Sequence, residues 1–140
     1  MGLYFLPSKI NINITIMKKV FLLSVAMLLK IGIANAQIGE VKVTRNQAKI
    51  YDESGTNTNR YVSMNSGYEL LGYNSKFIVM KDGNQAKIFD AKGNFTNKYV
   101  GLCSNCKVVN VSPTAILVKD GNMTKYYDFD GNYTNKYTSE

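Results

Sequence analysis

The feature that most constrains this chain is a segment that returns every 38 residues. Asn46 to Val62 (NQAKIYDESGTNTNRYV), Asn84 to Val100 (NQAKIFDAKGNFTNKYV) and Asn122 to Thr138 (NMTKYYDFDGNYTNKYT) align without a gap. The first pair agrees at 11 of 17 positions and the second at 9 of 17. A period of this size marks a copied supersecondary unit, because a unit so short cannot bury its apolar face without neighbours. The phase also runs upstream, where Glu40-Val41-Lys42 aligns with Ile78-Val79-Met80 and Ile116-Leu117-Val118.

Each copy reads as short strands joined by tight turns. Ala86 to Phe89 alternates, with Ala86 and Ile88 on one face and Lys87 and Phe89 on the other; Ala48 to Tyr51 and Thr124 to Tyr127 correspond to it. Asp90-Ala91-Lys92-Gly93 follows, matched by Asp52 to Gly55 and Asp128 to Gly131. Asp at the head of a turn bonds amides beyond it and Gly three residues on accepts positive φ, so each D-x-x-G predicts a hairpin. A strand around Thr96 to Val100 comes next, then one at Glu69 to Tyr73 or Lys107 to Val111. A fourth, Phe77 to Lys81 or Ala115 to Lys119, enters the Asp-Gly-Asn turns at Asp82 and Asp120.

The spacing predicts an all-β antiparallel meander of about 11 strands in three imperfect 38-residue units, 39–62, 63–100 and 101–140, the first lacking one strand. Phe77-Ile78-Val79-Met80 and Ala115-Ile116-Leu117-Val118 are apolar on both faces, so both faces must be covered. Propeller-like blades would do this, as would a compact three-fold body of trefoil or prism type. Closed propellers typically need about four to eight blades, so a homo-oligomer formed through edge strands is expected of the first arrangement.

Upstream of the repeats, Lys18 and Lys19 precede the apolar run Val20 to Leu29, and Ala34-Asn35-Ala36 stands before Gln37. That order predicts a signal peptide over residues 17–36, with residues 37–140 as the β-repeat domain. Lys30 interrupts the run too early for a membrane span, which takes about 20 apolar residues. Residues 1–16 have no part in the pattern and read as an upstream mis-start of the frame or a disordered segment. The net charge of +7 then changes meaning. Lys9, Lys18, Lys19 and Lys30 lie ahead of the cleavage site, and the remainder carries 13 basic and 10 acidic residues, spread singly. No basic patch of the kind that binds nucleic acid is left.

From Lys81-Asp82-Gly83-Asn84 through Phe89-Asp90-Ala91-Lys92-Gly93-Asn94 to Tyr99, the chain resembles the WG-type repeats of bacterial exported proteins, though it has no Trp at the position that names them. The resemblance implies an exported β-repeat, propeller-like module and carries no functional residue with it.

The chain has no His, which removes Ser-His-Asp and Cys-His nucleophile arrangements and His-ligated metal sites. Cys103-Ser104-Asn105-Cys106 has the spacing of a thiol-disulfide couple, but it falls between strands with no helix after it, and a structural disulfide fits better. A metal site would need further ligands that the sequence does not offer, so neither metal nor cofactor is expected. Asp128-Phe129-Asp130-Gly131-Asn132 has alternating oxygens around a Gly, as a calcium loop does, yet the other copies lack the second Asp and a hairpin turn explains it. The Asn-x-Ser/Thr triplets at Asn94, Asn110, Asn122 and Asn132 are by-products of the repeat. Tyr beside Asn and Lys can line a carbohydrate or peptide groove. Tyr is also a favoured strand residue, so its recurrence reads first as packing; if a ligand site exists, the triplets Asn59-Arg60-Tyr61, Asn97-Lys98-Tyr99 and Asn135-Lys136-Tyr137 are the candidate ligand residues. The expectation is a non-enzymatic binding or assembly module of the periplasm or cell surface, with a protein or glycan partner. The alternatives are a small thiol-disulfide oxidoreductase using Cys103 and Cys106, and a fragment of a longer repeat array.

Overall fold

A computed structural model describes residues 37–140; the expectations for residues 1–16 and 17–36 lie outside the described residues. The described chain is all-β, with 11 strands and no helix. They form three antiparallel sheets in sequence order. The first holds β1 (Glu40–Val43), β2 (Gln47–Tyr51) and β3 (Asn57–Ser63). The second holds β4 (Glu69–Tyr73), β5 (Phe77–Asp82), β6 (Gln85–Asp90) and β7 (Phe95–Gly101). The third holds β8 (Lys107–Val111), β9 (Ile116–Asp120), β10 (Met123–Tyr127) and β11 (Tyr133–Ser139). The first strands of the last two sheets, β4 and β8, pack side by side, and the Asn74 amide nitrogen donates to the Ser112 carbonyl at 3.0 Å.

Apolar burial decides how the sheets stack. Ile78, Val79 and Met80 are consecutive and fully buried, although a pleated strand sends neighbours to opposite faces. Ile78, Met80 and Phe89 pack with Val41, Ala48, Ile50 and Val62 of the first sheet. Val79, Ala86, Ile88 and Val100 pack with Val111, Ile116 and Val118 of the third. The second sheet is therefore apolar on both sides, and each large aliphatic residue so buried contributes about 2 kcal/mol. On the first sheet Glu40 and Lys42 flank the buried Val41, are exposed, and pair with each other at 3.1 Å.

The Asp turns are built alike. Asp90 Oδ1 accepts the amides of Lys92 and Asn94 at 2.8 and 2.9 Å. Asp52 does the same for Ser54 and Thr56, and Asp128 for Asp130 and Asn132. Gly55, Gly93 and Gly131 close these turns at φ of 79°, 85° and 86°. Past each turn the outer strand carries a bulge. The partner of Ile88 is Lys98 whereas that of Phe89 is Phe95, so Thr96 and Asn97 are extra. Asn97 takes φ 62°, a left-handed conformation Asn tolerates better than most side chains, and Asn59 and Asn135 match it at 58° and 61°. The Thr before each Asn ties the bulge down by donating to the carbonyl eight residues back, at 2.8, 2.7 and 2.9 Å for Thr58, Thr96 and Thr134.

The turns also dock one sheet on the next. A Cβ on Gly93 would run into the Tyr61 carbonyl of β3, and one on Gly131 into the Tyr99 carbonyl of β7, whereas Gly55 faces open space. Gly55→Ala should cost about 1 kcal/mol for its positive φ alone. Gly93→Ala should cost at least about twice as much in urea unfolding, because the β3 backbone must also move. Equal losses would overturn the docking role.

The turn carboxylates set an acid limit. The Ser54 hydroxyl leads in lowering the Asp52 pKa, joined by the Thr56 amide. Burial pushes Asp90 up, but the Asn94 and Lys92 amides outweigh it and hold the group below its ordinary value. The Asn132 amide does most to lower Asp128. Each folded-state pKa lies below the unfolded one, so this stability is present above about pH 4 and lost as pH falls through the depressed values. Urea midpoints should hold steady down to about pH 5 and drop below about pH 4. In Asp90→Asn the drop should be shallower; an unchanged drop would remove Asp90 from the account.

Candidate functional site

Where the first and second sheets meet, the side chains leave a cleft of about 460 Å³, within the size range of small-ligand sites. One wall is the bulged end of β3, giving Asn59, Arg60, Tyr61 and Ser63. The other is the turn from β6 into β7, giving Lys92, Gly93, Asn94 and Phe95, with Tyr68 and Phe89 behind it. The bulge delivers the first wall, because the extra residues Thr58 and Asn59 re-aim the side chains after them. Gly93 delivers the second, since only a bare Cα can sit against the Tyr61 carbonyl.

The aromatic rings form a connected set. Phe95 packs on Phe89 at 5.4 Å between centroids, and Tyr68 meets Phe89 edge-on at 6.4 Å. The Lys87 ammonium lies 5.6 Å from the Tyr68 ring and 5.4 Å from the Phe95 ring. It pairs with Asp82 at 2.5 Å, and that bond first, then the Tyr68 hydroxyl, raises its pKa. Tyr61 and Phe95 stay 46% and 39% exposed.

Of the residues singled out in the sequence, the structure brings Asn59, Arg60 and Tyr61 together in this cleft. Asn97, Lys98 and Tyr99 hold the corresponding place on β7, but there Lys98 is ion-paired with Asp130 of the following turn. Asn135, Lys136 and Tyr137 lie on β11, all exposed. Recurrence of the Asn in all three triplets has a backbone cause, the left-handed bulge. Lys92, Asn94 and Phe95 escaped the sequence reading because they belong to the turn from β6 into β7 of the second sheet, not to β3. The signal that points to them is the Gly of D-x-x-G, needed where a turn meets a neighbouring strand.

The Cys103 and Cys106 sulfurs lie at disulfide distance, with Cα atoms 4.9 Å apart, in the connection from β7 to β8. No helix follows them. Asp120 Oδ1 lies 3.8 Å from the Cys103 sulfur, and among the described residues these three form the single group with metal-ligand spacing. Paired sulfurs have no thiolate to offer a metal. In the Asp128 turn, Asp128 Oδ1 accepts two amides and Asp130 Oδ1 pairs with Lys98. Compared with known proteins, the chain matches no family model, no curated protein and no solved structure.

Replacing both cysteines by Ser should lower stability by about 2 kcal/mol or less, since the closed loop is short. Melting with and without reductant checks this: a shift on reduction in the parent and none in the double variant is expected.

Proposed function

We propose that this protein is an exported, non-enzymatic binding module of the bacterial envelope that holds a glycan in the cleft between β3 and the β6–β7 turn. The observation that carries the reading is the convergence of exposed Tyr61 and Phe95 rings with the Asn59 and Asn94 amides on one cleft of ligand size. A ring face stacks on the apolar side of a sugar, and an amide pairs with hydroxyls in both directions. The resemblance to WG-type repeats and the leader-like residues 17–36 support export. The three sheets are read as propeller-like units, supported by the side-by-side packing of β4 and β8.

A glycan fits the cleft better than an added peptide strand. Strand addition needs a free run of backbone donors and acceptors. On β3 the ladder is displaced by the Thr58-Asn59 bulge, and the Tyr61 carbonyl is covered by Gly93. Recognition there rests on side chains. On a glycan array the protein should retain a defined set of oligosaccharides, and Tyr61→Ala should weaken their binding by about tenfold as the stacking face is lost. Binding indifferent to Tyr61→Ala would overturn the reading.

A further inference from the structure

Charge distinguishes the two sheet junctions. At the second, the turn residue Asp130 neutralises Lys98 of β7. At the first, the corresponding turn residue is Lys92 and the corresponding strand residue is Arg60, so two cations face one cleft where the other junction has an ion pair. No acidic residue lines the cleft. Among the described residues neither Arg60 nor Lys92 makes a salt bridge, while Lys87, behind the Tyr68 and Phe95 rings, has Asp82. The carboxylate nearest in sequence to Lys92 is Asp90, whose Oδ1 takes two amides and whose Oδ2 takes the Asn94 side chain at 3.3 Å. Two cations that line one ring-lined cleft with no acid beside them both attract an anion placed there.

Resting on the glycan reading above, we infer that the ligand is an acidic sugar, whose ring stacks on Tyr61 or Phe95 while its anionic group lies between Arg60 and Lys92. Arg presents a planar fork matched to carboxylate or phosphate, and Lys adds a point charge from the opposite wall. The cleft thus selects for a charge on the sugar, and the second junction, with Lys98 already paired, does not. Uronate carboxylate and sugar phosphate share the required chemistry.

Titration calorimetry at low and high salt with oligogalacturonate, its methyl ester, phosphomannan and dephosphorylated mannan tests this and separates the two anions. At least one acidic ligand should bind about tenfold or more tightly than its neutral counterpart, the size expected for a charge-assisted contact, and should weaken as salt rises. Arg60→Ala and Lys92→Ala should each erase that preference while leaving the urea midpoint near the parent's. Lys136→Ala, on the last strand, should keep it. Acidic and neutral forms bound equally well, or a preference surviving both substitutions, would overturn the acidic class while the glycan reading stands. Failure of all four ligands, together with a blank glycan array, would overturn both.

Discussion

Everything in this fold depends on a sheet that is apolar on both faces. Ile78, Val79 and Met80 are adjacent and all fully buried, which a pleated strand can achieve only with a layer against each side. Their neighbours supply those layers: Val41, Ile50 and Val62 on one side, Val111, Ile116 and Val118 on the other. Alone, each sheet would be marginal, because three or four short strands need a packed face for stability. The stack therefore fixes the spacing between sheets, and that spacing creates the junctions where β3 and β7 meet the turns that follow them.

Local chemistry then finishes what burial begins. An Asp carboxylate gathers the amides of its own turn, a Gly at positive φ closes it, and at Gly93 and Gly131 the bare Cα sits against the backbone of β3 and β7. Thr and Asn insert a bulge into that strand at the same level. Turn and bulge are adjacent across the junction, so the side chains after the bulge and those after the Gly share a cleft. The cleft arises from two backbone irregularities, which is where folded chains commonly present functional side chains.

Much of this was legible in the sequence. The strands at Glu69–Tyr73 and Lys107–Val111 fall where alternation and turn residues place them, and the doubly apolar Phe77 to Met80 run announces a covered sheet. The outer-strand triplets were legible as a recurrence but not as a cause: Asn59, Asn97 and Asn135 recur because a bulge needs a left-handed residue. A bulge is a matter of cross-strand register, which no single strand's pattern encodes. For the same reason Lys92 and Phe95 could not be joined to Arg60 and Tyr61 in advance, since that meeting depends on which turn faces which strand.

The two junctions share a backbone arrangement and differ in charge. The Gly that meets the strand's backbone carbonyl stays the same at both, because a Cβ there would run into that carbonyl. The residue just before that Gly carries no such duty: its side chain is exposed, and the turn Asp takes its backbone amide. Lys92 and Asp130 occupy that position, and exchanging one for the other turns a closed ion pair into an open pair of cations with no change to the turn. Surface pairs of this kind contribute little to stability, about 0–1 kcal/mol, so the fold places almost no constraint on the choice. Stability holds the Asp, the Gly and the bulge, and leaves the charge before each Gly almost free of the fold's constraint.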